Sequence, residues 1–452
     1  MTNMRTVLVL IMYFFSVCTF GQTRIITFEE AVEIALKNGV QLNLQKSNLE
    51  NAQVQKMATW LGFGPTLSAS TSYNQINGNF FNQNEGKVVN GLFNQASGSI
   101  NAAINIFNGF SQVNRVKQFN NQLDAQMYFV DRTRQDLLNA VATQYLQVLL
   151  DKELLRIATE NWEVLKKQAE QVTEQVKLGS RSPVDEYNQD SQAKGAEIRV
   201  LQAEINLVNN KSMLSQTLLL DPLDEYDVVK PTWDINTIAE ADGDLQAVFQ
   251  TALQRRGDYL RAQKNEVASK YAFKASKGNL MPSLVAFWNI NTFYNKLDGD
   301  NTAAAFDQQV RTDNLRKVYG VQLNIPILGG TGIFQNRANV VQQRTTYYNN
   351  QILRRNVEVQ VKADVLRAHQ NFKLVKRTYY LSQAQLNAAE SAFSLETERY
   401  NLGVTNFVDF INANRVFVQA QTDKAQAEYR LLFQKVLLDY AVGTLKIEDI
   451  QP

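Results

Sequence analysis

Few side chains in this sequence could do chemistry, and those few are clustered. Among 452 residues there is one histidine, His369, and one cysteine, Cys18. A His/Cys metal site needs more donors than that. There is no phosphate-cradling glycine motif and no nucleophile–base set, so no catalytic residue, metal or cofactor is expected. What remains is a pair of octapeptides, LGSRSPVD (Leu178–Asp185) and LGVTNFVD (Leu402–Asp409). Each carries a glycine, Gly179 or Gly403, suited to the positive φ of a helix-ending turn. Each ends on a carboxylate. Asp409 falls where the next helix should begin, and a negative side chain there interacts favourably with the helix dipole.

The octapeptides belong to a longer duplication. ALKNG with Leu36 and GPTLSAS with Pro65 recur as ALQRR with Leu253 and MPSLVAF with Pro282. INIFNG (Ile104–Gly109) recurs as IPILGG (Ile325–Gly330). The offset drifts from 217 to 221 to 224 residues, so the copies are collinear and one structural unit is used twice. The first repeat is expected over residues 22–230 and the second over 231–452.

A formal charge of +2 gives no bias toward nucleic acid. Near the N-terminus Arg5 precedes an apolar run from Val7 to Phe20. At about fourteen residues the run is short for a membrane span and reads as a secretory signal, residues 1–21, cleaved after Gly21. Cys18 would admit a lipid anchor, but Val17 stands where a small residue is usual. No later apolar run reaches the roughly 20 residues of a spanning helix. The chain is read as exported and not embedded through helices.

Each repeat has the order helix, strand, strand, long helix, helix. Thr27–Trp60 is helical in pattern, with Thr27 as N-cap and Glu30 in the capping-box position; Gly62, Gly64 and Pro65 end it. The period then changes to two. Leu67, Ala69, Thr71 and Tyr73 alternate with Ser68, Ser70, Ser72 and Asn74. Ile100, Ala102, Ile104 and Ile106 alternate with polar neighbours after a Gly- and Asn-rich stretch. The second copy offers Leu284, Ala286, Trp288 and Ile290, then Tyr319, Val321, Leu323 and Ile325. Four strands are therefore expected, at about residues 64–74, 97–107, 282–294 and 317–327. Polar loops are expected from Asn74 to Leu92 and from Asn295 to Arg316.

From Phe110 to Lys177 there is neither Pro nor Gly. Leu155, Ala158, Trp162, Leu165, Ala169, Val172 and Val176 form a heptad seam, the signature of coiled-coil packing. A helix of about 68 residues is about 100 Å long. Its partner begins at Pro183, an N1-like position. Ile333 to Tyr400 and Phe407 to Val442 repeat the pair.

The apolar strand faces could meet a protein core or lipid. The strands are flanked by very long helices rather than by further strands, the chain is exported, and strands of about 9–11 residues suit a tilted bilayer crossing. Four strands cannot close a barrel, and an open edge is not tolerated in lipid. Membrane strands would require several chains to share one barrel, and three chains would give twelve strands. An exported coiled-coil scaffold without channel activity is the rival reading.

RYNLGVTNFVDFINAN (Arg399–Asn414) resembles the Y-x-x-G-x-x-x-x-x-D-x-x-x-A turn of the TolC-like outer-membrane efflux proteins, and LGSRSPVDEYNQDSQ (Leu178–Gln192) is its first-repeat counterpart. The resemblance extends over about residues 27–446. It implies a homotrimer in the outer membrane of a Gram-negative bacterium: a twelve-stranded transmembrane β-barrel, four strands per chain, continued by an α-helical barrel in the periplasm. It also implies a passive exit duct of a tripartite efflux or type I secretion system, served by an inner-membrane transporter and a periplasmic adaptor (membrane fusion protein). In that family the hairpin tips close the tube and receive the adaptor, which points to Gly179, Ser180, Arg181, Gly403, Val404 and Thr405. Asp409 matches the family's acidic ring, while the second ring falls on Asn412. Tyr400 and Asp185 match a pair that links neighbouring hairpins. The arginine that completes that link corresponds to Thr405 here, so Arg181 either substitutes for it or is a solvated tip residue. The second hairpin, with Tyr400 and Asp409, is expected to gate.

Overall fold

A computed structural model describes residues 24–82, 86–221, 223, 225–231, 244–300, 303–327 and 332–446. The expected signal, Cys18 and the LGG of the second repeat lie outside these residues. In chain order the elements are β1 (Arg24–Ile26), α1 (Phe28–Asn38), α2 (Val40–Leu61), β2 (Thr66–Asn82), β3 (Lys87–Phe107), α3 (Ser111–Lys177) and α4 (Pro183–Leu218). Then come β4 (Tyr226–Val228), α5 (Leu245–Arg255), α6 (Gly257–Gly278), β5 (Ser283–Leu297), β6 (Arg316–Asn324), α7 (Ile333–Asn401) and α8 (Phe407–Val442). The repeat order expected from sequence is present twice. Among the described residues no helix is long and apolar enough to cross a membrane.

The helix expected over 27–60 is two helices, broken at Gly39. Its N–H bonds Ala35 O at 2.7 Å, and a Cβ there would lie 2.7 Å from Leu137 Cδ2. The second copy breaks at Arg256. Thr27 does cap α1, accepting from Glu30 N at 3.2 Å. The reciprocal half of the capping box is missing because Glu30 bonds Arg24 instead.

The chain divides into two units, one of them Asn48–Met127 with Arg261–Asn356. This unit holds an antiparallel sheet of order β2-β3-β5-β6. Register places Leu67, Ala102, Trp288 and Tyr319 in one rung, and Ala69, Ile100, Ile290 and Lys317 in the next. The apolar residues picked out by alternation thus share one face, apart from Ile106, which falls in a bulge between Asn105 and Phe107, and Ile325, which lies past the end of β6. The other face carries Ser70, Ser99 and Asn291 in one rung, with Ser70 Oγ and Ser99 Oγ 2.7 Å apart. Among the described residues no strand residue of this sheet is buried, on either face.

The first hairpin is longer than expected. Most of the predicted loop from Asn74 to Leu92 is strand, because alternation continues through amides that satisfy each other across the ladder. Tyr73 Oη and Gln75 Nε2 both donate to Asn94 Oδ1, at 2.7 and 3.0 Å. The second loop is also shorter: β5 runs to Leu297, and Gln309–Asp313 forms a turn of π-helix. β6 leaves β5 beyond the Asn291–Arg316 pair, and side-chain amides take over its hydrogen bonds. Gln309 accepts from Asn295 N and donates to Asn295 O, both at 3.1 Å, while Asn314 Nδ2 donates to Phe293 O at 2.7 Å. The exposed edge is capped without a strand.

The other unit is Tyr128–Leu260 and Val357–Pro452 with the N-terminal segment to Ser47. β1 pairs in parallel with β4 over a core that includes Phe28, Val32, Leu138, Val141, Tyr145 and Leu218. Tyr145 Oη donates to Ile26 O at 3.0 Å and Val229 O at 2.7 Å, and burial pushes its pKa up to about 12. Helix α8 gives Tyr429, Leu432 and Val436 to this core, and Leu431, Leu438 and Ala441 to a second one with Val361, Val365 and Phe372. It is buried on two faces, which is why its sequence is so apolar. Glu428 on α8 is itself buried, and Lys230 and Lys424 pair with it. Burial opposes its ionisation, but the two lysines outweigh that and hold its carboxyl below the usual range.

Helix ends in the two repeats use one geometry with different residues. Leu219 and Gly443 are both left-handed, at φ 55° and 79°. Leu220 N bonds Ser215 O at 3.0 Å and Thr444 N bonds Asp439 O at 2.9 Å, the Schellman pattern. Only Gly443 is also crowded: a Cβ there would lie 3.1 Å from the backbone of Arg255 and Arg256.

Two outcomes are expected. Leu219→Gly should be neutral or stabilise by up to about 1 kcal/mol, since left-handed strain of about 1–2 kcal/mol is relieved at some cost in unfolded-chain entropy. Gly443→Ala should destabilise by more than that. Thermal unfolding of the detergent-solubilised protein checks the pair; midpoints moving the same way would reject the account. For Glu428, a carboxyl lowered in the folded state contributes stability above its unfolded pKa and loses it as pH falls through the folded value. The gap in melting temperature between wild type and Glu428→Gln should therefore close on acidification from neutral pH. A pH-independent gap would rule this out.

Candidate gate at the helical hairpin tips

Both hairpins turn by the same backbone device. At the end of α3, Gly179 N bonds Val176 O and Ser180 N bonds Gln175 O, both at 2.9 Å; Ser180 Oγ adds a second bond to Gln175 O at 2.8 Å. At the end of α7, Gly403 N bonds Tyr400 O at 3.1 Å and Val404 N bonds Arg399 O at 2.9 Å. The glycines sit at φ 74° and 72° with open space around them, so the positive φ alone selects glycine. The helices that follow start differently. Ser182 caps α4, with Pro183 at its first position. Asn406 caps α8 by accepting from Asp409 N at 2.9 Å.

Asp409 is exposed in the first turn of α8, and its Oδ2 accepts from Thr405 Oγ1 at 3.4 Å. The helix-dipole reading of this residue therefore has its geometry. Asn412 is exposed as well.

Tyr400 and Arg181 are brought together, whereas Tyr400 and Asp185 make no hydrogen bond. Arg181 Nη1 donates to Tyr400 Oη, and the guanidinium lies 4.9 Å from the ring centre. Arg181 is half-buried and reaches Tyr400 from the opposite hairpin. Among the described residues the Asp185 carboxylate makes no hydrogen bond or ion pair; only its N–H is engaged, with Ser182 O at 3.0 Å. Ser180, Gly179, Gly403 and Val404 are exposed at the tips, and Thr405 and Arg181 are half-buried.

Besides the Arg181–Tyr400 contact, two further contacts near the tips join the hairpins, and neither was expected. Asn414 Nδ2 donates to Asn161 Oδ1 at 3.1 Å, with both side chains buried. Ile411 packs against the cluster of Leu165, Ala193 and Ala196, as do the seam residues Trp162 and Ala169. Tyr400 is held from behind by aromatic rings: Phe410 stacks on it at 4.8 Å, and Phe393 lies 5.8 Å from Phe410 and 5.1 Å from Phe417. The signal was there, because Phe393 and Tyr400, like Phe410 and Phe417, are seven residues apart. The arrangement is a polar latch between two helical turns, with Tyr400 fixed by stacking and Arg181 laid over it.

Comparison with known proteins agrees with this architecture. Outer membrane protein TolC of Escherichia coli K12 is 20% identical over 323 residues, 70% of this chain and 63% of that one. The pyoverdine export outer membrane protein OpmQ of Pseudomonas aeruginosa is 24% identical over 316 residues, 68% of this chain and 61% of that one. The chain thus matches less than two thirds of the length of either. The crystal structure of VceC from Vibrio cholerae has the same fold, with a TM-score of 0.78 at 14% identity, covering 92% of this chain and 96% of that one. The family model for outer membrane efflux proteins matches residues 31–218 and 248–444, once in each repeat. The chain belongs to the outer membrane efflux protein family.

Proposed function

We propose that the protein is one subunit of a trimeric exit duct in the outer membrane of a Gram-negative bacterium. It passes substrates delivered by an inner-membrane transporter through a periplasmic adaptor, in a tripartite efflux or type I secretion system. The observation that carries this reading is the four-stranded sheet, apolar on one face, polar on the other, and open at β2 and β6. In lipid such edges must be paired. Three copies joined β6 to β2 give a closed twelve-stranded barrel with the apolar face outward and a polar lumen, while the long helices wall a tube in the periplasm. Energy comes from the transporter.

The tips are the gate. Gly179, Ser180, Gly403, Val404 and Thr405 present the surface that an adaptor meets. Arg181 and Tyr400 latch the closed state, and the second hairpin moves when they part. Asp185, unpaired within its own chain, meets a neighbouring copy. Three Asp409 side chains form an acidic ring that favours cations, weakened because Asn412 adds no second ring.

The protein should fractionate with outer membranes and run as an SDS-resistant, heat-sensitive trimer; a soluble monomer would end the duct reading in favour of a scaffold. A charged-donor hydrogen bond contributes about 1.5–3 kcal/mol when shielded, and about 1.4 kcal/mol is a factor of ten in an equilibrium. Arg181→Ala and Tyr400→Phe should therefore each open the closed state about tenfold more often, seen as raised conductance in planar bilayers. Unchanged conductance would remove both from the gate. Asp409→Asn should lower cation preference, and an unaltered reversal potential in a salt gradient would reject the ring.

A further inference from the structure

The polar face of the sheet is almost free of charge. Its rungs are built from Ser68, Ser70, Ser72, Gln95, Ser97, Asn101, Asn289 and their neighbours, and no strand of the sheet contains Asp or Glu. Two cations stand on this face. Lys87 is in the last rung of the hairpin, beyond the four-stranded part. Arg316 is within it, at the start of β6, in a rung with Asn291, Ser99 and Ser70. Its side chain is exposed, and it makes no hydrogen bond or ion pair among the described residues. Lys317 and Lys296 project from the opposite face.

Arg316 is also fixed in height. It directly follows the segment in which Gln309 and Asn314 cap the edge of β5, at the end of the sheet nearest the loops between strands. In the barrel reading above, on which this inference rests, that end is the external mouth and the polar face is the lumen. We propose that three copies of Arg316 form a cationic ring at the outer mouth, the charge that determines selectivity in the barrel, and that the ring draws anions. The face also carries Phe287, Phe293 and Val318, and an uncompensated cation on a strand wall that holds no carboxylate raises the local concentration of anions. Its reach is about 10 Å at 0.1 M salt and about 30 Å at 0.01 M. A duct of this kind would suit neutral or anionic cargo at its exit, whatever its periplasmic entrance prefers.

The test uses the full-length trimer in planar bilayers at about 0.01 M KCl, where screening is weakest. Hexacyanoferrate(II), a tetravalent anion, is added to one side at a time. Wild type should be blocked only from the side of the interstrand loops. Arg316→Ser, run as an SDS-resistant trimer, should need at least about tenfold more probe for the same block. Arg316→Lys, which keeps the charge and changes the shape, should stay close to wild type. Equal block of wild type and Arg316→Ser overturns the proposal, as does an Arg316→Lys channel that behaves like Arg316→Ser. A wild-type trimer with no conductance at all would remove the duct reading, and this inference with it.

Discussion

A sheet edge is a row of unanswered hydrogen bonds, and hydrocarbon offers nothing to answer them. That constraint organises the molecule. Four strands with one apolar face cannot end in lipid, so in the proposed duct the chain is a fraction of a larger closed object. The duplication follows naturally from it: a unit with two strands and three helices is too small to wall anything, and two copies in one chain halve the number of subunits that must meet. Even within the chain the edge is managed. Where β6 stops short of β5, the Gln309 carboxamide makes both bonds that a strand residue would have made to Asn295.

At the hairpin tips the problem is reversal. Two Schellman turns at Gly179 and Gly403 return the chain with the same bonds, yet the helices that follow are capped by Ser182 in one case and Asn406 in the other. Sharing the backbone leaves side chains free to differ, and they do. One hairpin supplies a long cation, the other a stacked phenol. The contact between them is asymmetric by construction.

Much of this was legible in the sequence because periodicity is local. Alternation picked out the residues that register later placed on one face, since a strand can only present every second side chain to a side. The heptad seam from Leu155 to Val176 faces inward for the same kind of reason. What failed was composition used as a proxy for loop. Asn77, Asn79 and Asn90 look like loop residues, but Asn90 bonds Asn79 across a continuing hairpin, and partner identity is not a local property. The break at Gly39 was hidden because a single glycine inside a helical pattern does not say what packs against it. The Arg181–Tyr400 contact spans 219 residues. Whether Arg181 would reach Tyr400 or stay in solvent could not be read from either hairpin alone.

The amide cap on β5 has a consequence for how copies recognise each other. An uncapped stretch from Phe293 to Leu297 would be a second landing site for β2 of another chain, competing with the edge of β6. Two landing sites would mean two possible joints, one of them skipping a strand and closing the ring with the wrong circumference. By occupying that stretch with its own side chains, the subunit leaves a single seam of nine residues. In the proposed barrel the cap would act as a proofreading element, leaving the edge of β6 as the joint.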